Sequence, residues 1–498
     1  MARILVRSVL LTLLAGCEAV APSRPSGIPA PPDAGGVRAA TAAAGRPNIV
    51  LIMTDNQEKA STWAMPNLNA LIVSQGATFD RFYYTQSSCC PSRTTILRGQ
   101  YPHNHQIHSI SFPHGGWRKV FSLGLEASTI ATWMQSAGYT TSYIGKYLNE
   151  FEFSAPSYIP PGWNDWHVHR SAPGTTTQFY YNYKLNENGV TVSYGTGAAH
   201  YSTDVFANLA VRFINSQAAA AQPFFLVVSP NPPNGRIPAA RHLGRFSTAP
   251  LPRPPNFNEA DVSDKPQWVR NNPLMTATVI SQQTGNHRKR LETLLAADDL
   301  IKQVVDALAA TGQLDNTYIL FTSDNGFHIG QHRLIRDRNS AYEEDNIGPL
   351  FIRGPGVPAG AVLSHPVLTN DFAPTFAELA GAQVPTFVDG RSLVPLLSGS
   401  PPAVSSWRQV FSIEYNEPPP NIYVPPVYFA IRTDRYTYVE YSTGEKELYD
   451  NQTDPYQLTN LATTADPVLL ETLSQRLNAI RTCAGILCRA EEDVPGPP

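Results

Sequence analysis

The clearest indication of the fold is the stretch Asn48-Ile49-Val50-Leu51-Ile52-Met53-Thr54-Asp55-Asn56. Its apolar run does not alternate with polar residues, which is typical of a strand buried on both faces of a parallel sheet. A second apolar run, Tyr318-Ile319-Leu320-Phe321, leads into Thr322-Ser323-Asp324-Asn325, a near-copy of Met53-Thr54-Asp55-Asn56. Functional groups of open α/β sheets gather at the carboxyl ends of strands, so the two Asp-Asn pairs converge if the strands are neighbours.

Two interpretations of the Asp-Asn pairs are open at this point. Carboxylate and amide oxygens suit a hard cation, Ca²⁺ or Mg²⁺, better than they suit zinc. Asp-Asn is also a common way to open a turn after a strand.

Helical and strand patterns alternate around these runs, which predicts an α/β fold with helices on both faces of a large, mostly parallel sheet. The predicted helices cover 66–75, 128–137, 204–217 and 290–310, and further predicted strands cover 140–144 and 224–228. From about 407 onward, short strands at 408–415, 428–433, 436–441 and 447–449 precede a helix over 467–481. This change predicts a smaller C-terminal antiparallel subdomain.

Composition excludes some classes of function. The 498 residues include 37 Lys+Arg and 40 Asp+Glu, a net charge of −3, and this excludes nucleic-acid binding by bulk charge. Five cysteines in so long a chain exclude a disulfide scaffold. An apolar content of 42% is ample for a large core.

The start of the chain has the pattern of an export signal. Arg3 and Arg7 flank a short apolar run over 9–14, which ends in Leu14-Ala15-Gly16-Cys17 and is too short to span a bilayer. This ending resembles a bacterial lipobox, in which the cysteine is lipidated and becomes the mature N-terminus. We therefore expect a protein that is exported and anchored by lipid to the cell envelope of a bacterium. The alternative is an ordinary cleaved signal and a secreted protein.

The predicted domain organisation has five parts: a signal peptide over 1–16, a flexible Ala/Pro/Gly tether over 17–46, the α/β domain over 47–404, the antiparallel subdomain over 405–488 and a tail over 489–498. Cys483 and Cys488 are close in sequence in an exported protein, so a local disulfide between them is predicted.

Cysteine placement is the strongest functional signal. Cys89-Cys90-Pro91-Ser92-Arg93 lies at a predicted helix start, where a group on Cys89 faces the helix N-terminus and so a position that favours bound anions. A disulfide between neighbouring cysteines is strained, and a zinc motif would need a second Cys/His pair. A functional role for Cys89 is therefore favoured over a structural one.

These residues match the C-x-P-S-R signature of the formylglycine-dependent sulfatases, members of the alkaline-phosphatase superfamily. The resemblance extends over nearly everything after the tether. Its further motifs are Arg46 to Asp55, Gly138-Tyr139-Thr140-Thr141-Ser142-Tyr143-Ile144-Gly145-Lys146-Tyr147-Leu148, Asp324-Asn325-Gly326, Glu447-Leu448-Tyr449-Asp450 and Asp454-Pro455-Tyr456. The doubled cysteine, Tyr101-Pro102-His103-Asn104-His105 and Gly145 to Glu150 are most similar to N-acetylglucosamine-6-sulfatases and heparan sulfate endosulfatases.

The resemblance implies a specific chemistry for sulfate esters of sugars or aryl alcohols. A formylglycine-generating enzyme would convert Cys89 to formylglycine, whose hydrated aldehyde offers one hydroxyl as the nucleophile and a second to eliminate sulfate. Ca²⁺, with Mg²⁺ as the alternative, would be bound by Asp55, Asn56, Asp324, Asn325 and the modified Cys89. Arg93 would stabilise the hydrated aldehyde and Lys146 would hold sulfate oxygens.

Three of the residues predicted for the site depart from the family pattern, and so do Arg98 and Gln100 beside Gly99. Asn56 stands where the family has a second aspartate, Asn234 follows Pro233 where a histidine is usual, and Arg338 replaces a lysine. Arginine keeps the positive charge but changes the shape of the contact, whereas Asn234 removes a group that could carry a proton. These departures motivate one alternative to a sugar sulfatase, a weakly active or non-catalytic binder of sulfated glycans. A second alternative is a phosphodiesterase or phosphonate hydrolase on the same scaffold, because the metal, the nucleophile and the anion-binding groups serve phosphoryl and sulfuryl groups alike.

Other aromatic and histidine residues have more ordinary interpretations. Trp163, Trp166, His167 and His169 either line a substrate cleft or cap the core. The three histidines at 103, 105 and 108 are interpreted as loop packing rather than a metal site.

Overall fold

The computed structural model describes residues 45–151, 157–170, 179–220, 222–335 and 338–497. The strands of its N-terminal part are β1 Asn48–Thr54, β2 Ala77–Phe79, β3 Phe82–Tyr83, β4 Thr140–Gly145, β5 Asp165–His169, β6 Lys184–Glu187, β7 Val190–Ser193, β8 Phe224–Ser229, β9 Thr317–Ser323, β10 Leu350–Arg353, β11 Ala361–Leu363 and β12 Val367–Leu368. Ten of them form the largest feature of the described residues, a sheet with the strand order β11-β2-β10-β9-β1-β8-β4-β5-β6-β7. β3 and β12 pair separately as a short parallel ribbon.

Strand β1 lies at the centre of the sheet, parallel to β9 on one side and β8 on the other. Its side chains alternate between two cores: Ile49, Leu51 and Met53 face one, and Val50 and Ile52 face the other. The continuous apolar run is therefore explained by burial on both faces. The prediction of a mostly parallel α/β sheet is confirmed, with antiparallel pairing at β10 and at β6 and β7.

Helices cover both faces of the sheet. They are α1 Pro66–Leu68, α2 Cys89–Arg98, α3 Pro102–His105, α4 Gly116–Ser122, α5 Ile130–Ser136, α6 Ser202–Ser216, α7 Gln267–Arg270, α8 Ala277–Ala310, α9 Glu343–Asn346, α10 Phe372–Ala380, α11 Pro467–Ile480 and α12 Ile486–Asp493. Helices α6 and α8 pack on the Val50 side, and α5 and α10 pack on the Ile49 side.

Two predicted helices differ from the structure. Helix α8 begins at Ala277 rather than at 290, because its first turns carry a mostly polar sequence without an apolar stripe. The helix predicted over 66–75 is α1 followed by a π-helical segment, Asn69–Val73.

The C-terminal part forms a separate four-stranded antiparallel sheet, as predicted. Its strands are β13 Val410–Tyr415, β14 Tyr428–Thr433, β15 Tyr436–Tyr441 and β16 Lys446–Asp450, with α11 packed against β14. A disulfide joins Cys483, which lies before α12, to Cys488 within its first turn. The boundary placed between 404 and 405 remains a prediction.

The predicted signal peptide, Cys17 and nearly all of the tether lie outside the described residues. Within the described part of the chain, no helix is both long enough and apolar enough to cross a bilayer.

Candidate active site

The parallel pairing of β1 and β9 brings the two Asp-Asn pairs together. Thr54 and Ser323 are register partners at the ends of these strands, so Asp55 and Asp324 leave the sheet side by side. The Asn56 backbone N–H donates a hydrogen bond to Asp324 Oδ1 at 2.9 Å. One carboxylate oxygen from each aspartate and the Cys89 sulfur lie within 4.8 Å of one another.

Helix α2 presents Cys89 to this cluster from its first residue. Its Sγ lies 3.9 Å from Asp55 Oδ1 and 3.6 Å from Asn56 Oδ1. The side chain is 2% exposed, and burial raises the pKa of Cys89 to about 11 although Arg338 and Lys146 act in the opposite direction. The helix ends at Gly99, which has a φ of 68°, a conformation that glycine adopts without strain.

Arg93 lies one helical turn after Cys89, on the same face of α2. Its Nε donates to Asp324 Oδ2 at 2.9 Å, and its Nη1 donates to the Lys146 carbonyl at 2.6 Å and to Ser229 Oγ at 2.8 Å. Burial disfavours the Arg93 guanidinium, yet Asp324 outweighs that effect and holds its pKa above the usual value. Arg93 therefore ties the α2 helix to the ends of three strands.

Lys146 follows β4 directly and reaches both carboxylates. Its Nζ lies 2.6 Å from Asp55 Oδ2 and 3.7 Å from Asp324 Oδ2. Burial favours the neutral amine, but the Asp55 carboxylate overcomes it and raises the pKa of Lys146 above its ordinary value. Lys146 is therefore a permanent positive charge in the site.

The two amides complete the oxygen cluster. Asn325 Nδ2 donates to Asn56 Oδ1 at 2.7 Å, and Asn325 Oδ1 is buried with no hydrogen-bond partner among the described residues. An unsatisfied buried carbonyl next to two carboxylates is the donor set that a hard cation prefers. The residues present therefore fit a divalent cation, with Asp55, Asn56, Asp324 and Asn325 as its ligands.

Asn234 and Arg338 lie at the edge of the cluster. Asn234 Nδ2 donates to Asp55 Oδ2 at 3.3 Å, and Arg338 Nη2 donates to Cys89 Sγ at 2.8 Å. All the residues predicted for catalysis and for metal binding thus meet at one edge of the sheet.

A cavity of about 410 Å³ opens beside Arg338. Its lining comes from the segment around α7, from the loop after β9 and from the loop between β13 and β14: Trp268, Asn272, Pro273, His328, Leu334, Ile335, Arg338, Ser340, Asn421, Tyr423, Val424 and Pro425. The mixture of aromatic and polar side chains is typical of a small-molecule site.

Comparisons with known proteins agree with this geometry. The sulfatase family model matches residues 47–382, and the model for the C-terminal part of N-sulphoglucosamine sulphohydrolase matches 330–482. The chain belongs to the sulfatase family. It is a sulfuric ester hydrolase, which confirms the enzyme class that the C-x-P-S-R motif implied.

Two curated sulfatases are similar over most of the chain. N-acetylglucosamine-6-sulfatase of Homo sapiens is 33% identical over 492 residues, covering 91% of this chain and 88% of its own length. An arylsulfatase of Chlamydomonas reinhardtii is 34% identical over 496 residues, covering 89% and 75%.

Solved structures share the fold. A protein in complex with its substrate D-glucosamine-2-N,6-O-disulfate has a TM-score of 0.73 and 26% identity, covering 87% of this chain and 97% of its own. A phosphonate monoester hydrolase of Silicibacter pomeroyi has a TM-score of 0.67 at 22% identity, covering 86% and 93%, which is a likeness of fold alone.

Some residues of this sulfatase were not anticipated from the sequence. Ser229 ends β8 and accepts from Arg93, and Arg290 on α8 donates to the Asn56 carbonyl at 2.6 Å. Ser229 could have been found by the strand-end rule that located Asp55. The sequence holds no comparable signal for Arg290, because it lies within the long helix α8, far from Asn56 in sequence.

The aromatic residues considered for a cleft belong to the core instead. Trp163 and Trp166 pack in the Ile49 core, and His169 is buried against the Asn231 amide at 2.8 Å. His167 pairs with Asp165 and Glu187. The aromatic residues that line the cavity beside Arg338 are Trp268 and Tyr423.

His103 and His105 lie in the short helix α3 rather than in a loop, and both make packing contacts instead of forming a metal site with each other. His103 Nδ1 lies 2.5 Å from Glu414 Oε1, and His105 Nε2 lies 3.0 Å from Thr95 Oγ1.

Proposed function

We propose that this sulfatase hydrolyses sulfate esters of sugars, using a formylglycine derived from Cys89 and a divalent cation, Ca²⁺ or Mg²⁺. The observation that carries the proposal is the buried cluster around Cys89, which brings together two carboxylates, two amides and three cationic side chains. A thiol without a covalent or metal role would not need so many charged neighbours in a buried site.

Asp55, Asn56, Asp324 and Asn325 would hold the cation. When bound, it would supply Lewis-acid polarisation and lower the pKa of an attached hydroxyl. Formylglycine at Cys89 would supply a hydrated aldehyde as the nucleophile. The remaining groups of the site are side chains of this chain, in the positions described above.

The charges of these side chains suit a monoanionic sulfate ester. Lys146, Arg93 and Arg338 contribute three positive charges against two negative charges from Asp55 and Asp324, which leaves +1 before any cation binds. Lys146 and Arg338 face Cys89, so they would hold sulfate oxygens there. Arg93 is bound to Asp324, so its role is to fix the carboxylate and the helix that carries Cys89.

Water is largely excluded from the nucleophile. Cys89 is 2% exposed and Asp324 is fully buried. In such a site the fixed charges act through a low dielectric and need no reorganisation during the reaction, which strengthens their effect on developing charge.

Burial also bears on how formylglycine would form. A modifying enzyme could not reach Cys89 within the folded helix α2, so a formylglycine-generating enzyme would act on the chain before folding. Cys90 is fully buried in the core on the next position of α2 and would remain a thiol.

A sugar is favoured as the alcohol part of the ester. Trp268 and Tyr423 offer aromatic faces, and Asn272, Ser340 and Asn421 offer polar groups around the same cavity. This combination can stack on the apolar face of a pyranose ring and bind its hydroxyls. The similarity to a human N-acetylglucosamine-6-sulfatase and to a structure holding a glucosamine disulfate points to an amino sugar.

A substrate panel tests the proposal. Release of inorganic sulfate is measured with N-acetylglucosamine 6-sulfate, an aryl sulfate and a phosphodiester, each with and without added Ca²⁺ or Mg²⁺. The proposal predicts sulfate release from the sugar, loss of activity on chelation and loss in Cys89→Ala. Turnover of the phosphodiester alone, or glycan binding without sulfate release, would contradict it.

We also propose that the protein is exported and attached to the cell envelope by a lipid on Cys17. The basic and apolar pattern of 3–14 and the ending Leu14-Ala15-Gly16-Cys17 support this, and so does the disulfide between Cys483 and Cys488, since such bonds persist in oxidising compartments.

A further inference from the structure

Arg290 reaches the active site from within the long helix α8, and its side chain is 3% exposed. Its Nη2 donates to the Asn56 carbonyl at 2.6 Å. Its guanidinium carbon lies 4.0 Å from the centre of the Phe327 ring, an arrangement in which the cation is attracted to the face of the ring. Phe327 is two residues after Asn325, so one side chain contacts both turns that carry the proposed cation ligands.

The first of these turns has an uncommon backbone conformation. Asn56 has a φ of 59°, in the left-handed region that residues other than glycine rarely adopt. Such a conformation persists only where surrounding groups fix it. The Asn56 N–H donates to Asp324 Oδ1 at 2.9 Å, and the Asn56 carbonyl accepts from Arg290. These two bonds to buried, charged side chains fix the direction in which the Asn56 side chain leaves the turn.

A carboxylate compensates the charge of Arg290. The Glu58 side chain, three residues after Asp55, pairs with the same Nη2 and is also buried. The pair of Arg290 and Glu58 therefore adds no net charge beside the proposed cation site. The positive charge of Arg290 alone would repel a divalent cation. What the guanidinium offers the site is a fixed hydrogen-bond geometry rather than an attractive charge.

We infer that Arg290 is a positioning residue for the cation, which holds Asn56 and Asn325 at the separation at which their oxygens bind the same ion. Asn325 Nδ2 donates to Asn56 Oδ1 at 2.7 Å, so a shift of either turn changes the distance between the two amides. Groups that hold metal ligands in place commonly contribute about 10–100-fold to metal affinity. This role rests on the divalent cation of the proposed function.

Removal of the guanidinium separates positioning from charge by the sign of its effect. Arg290→Met keeps a long side chain, deletes the positive charge and leaves the Glu58 carboxylate unpaired. If Arg290 acted by charge alone, this variant would bind Ca²⁺ more tightly, because a repulsion is lost. Positioning predicts a Kd for Ca²⁺ about 10–100-fold higher, measured by titration calorimetry of the metal-free protein. A merely structural role would lower the thermal midpoint and leave the Kd of the folded protein unchanged.

Arg98→Met is a matched control. Arg98 is another buried arginine, which donates to the carbonyls of Leu125 and Ser128 at 2.7 Å and lies 4.4 Å from the centre of the Phe387 ring. None of these partners belongs to the turns after β1 and β9. Arg98→Met removes the same kinds of contact, and it should leave the Kd for Ca²⁺ unchanged.

Arg290→Lys is the second variant of the same position. It keeps the positive charge but loses the planar fork of donors, so it should weaken Ca²⁺ binding by less than Arg290→Met does. It decides the question if Arg290→Met does not fold, because an effect of charge alone would then leave the Kd unchanged.

Weaker Ca²⁺ binding in folded Arg290→Met, with an unchanged Kd in Arg98→Met, would support the positioning role. Unchanged or tighter binding in Arg290→Met would overturn it, and so would equal weakening in Arg98→Met, since the loss would then follow from removing any buried arginine. If the unmutated protein bound neither Ca²⁺ nor Mg²⁺, the proposed cation site itself would be contradicted and the role of Arg290 would fall with it.

Discussion

Replacing Asn56 by aspartate should tighten cation binding. In the structure Asn56 Oδ1 accepts from Asn325 Nδ2 at 2.7 Å and lies 3.6 Å from Cys89 Sγ, within the group of oxygens proposed as ligands. A carboxylate of nearly the same shape would place a full negative charge there. Hard cations bind more tightly as the number of charged ligands rises.

The magnitude follows from the charges in the site. A unit charge about 4 Å from a doubly charged ion interacts by roughly 8 kcal/mol at an effective dielectric of about 20. Most of that attraction would be lost, because Lys146 and Arg338 would pair with the new carboxylate until the ion displaces them. A net gain of about tenfold in affinity, roughly 1.4 kcal/mol, is the conservative expectation.

Titration calorimetry of the metal-free protein with Ca²⁺ and with Mg²⁺ measures this gain. Asn182→Asp is a matched control, since Asn182 is an exposed asparagine with a φ of 53°, close to the 59° of Asn56. Asn182→Asp adds the same negative charge, at a residue with the same left-handed backbone conformation, away from the site. Unchanged or weaker binding in Asn56→Asp would show that Asn56 is not a ligand of the cation.

Three further predictions concern other parts of the chain. Burial favours neutral His103, but Glu414 outweighs burial and raises the pKa of His103 from 6.5 to about 9. The ion pair between His103 and Glu414 therefore stabilises the fold fully below pH 6.5, and this stabilisation is lost as pH rises through about 9. Denaturant unfolding should therefore show His103→Gln less stable by roughly 3 kcal/mol at pH 6 and by little at pH 10, and an equal deficit at both would contradict this. Cys89→Ala should abolish turnover at an unchanged thermal midpoint, whereas Cys90→Ala should keep turnover and lose roughly 1 kcal/mol of stability; inactivity of a folded Cys90→Ala would contradict the assignment. Cys17→Ser should move the protein from the membrane pellet to the soluble fraction, and retention would argue against a lipid anchor.

The central strands of the fold could be predicted from sequence because burial on both faces leaves a clear pattern. β1, β8 and β9 are continuous apolar runs, and the strand pattern of β14 and β15 gave their bounds directly. The edge strands were missed for the opposite reason. β7 is largely exposed and β11 has only three residues, so neither carries a periodicity that separates it from a loop.

The charged cluster could be predicted from the sequence, but the cavity could not. Asp55 and Asp324 follow strands, and Cys89 and Lys146 lie in motifs whose order is shared with the sulfatases. The cavity is assembled from Trp268, His328 and Tyr423, three segments that are far apart in sequence and contribute one or two side chains each. No local pattern marks such residues, because their proximity depends on how the loops pack.

The chemical state of Cys89 in active enzyme decides whether the nucleophile is a formylglycine. Peptide mass spectrometry of the tryptic fragment from Phe82 to Arg93, prepared from protein whose specific activity is known, measures it. The formylglycine mechanism predicts an aldehyde in place of the first thiol, an unmodified Cys90 and activity in proportion to the aldehyde fraction. Active protein in which both cysteines of this fragment are unmodified would contradict it.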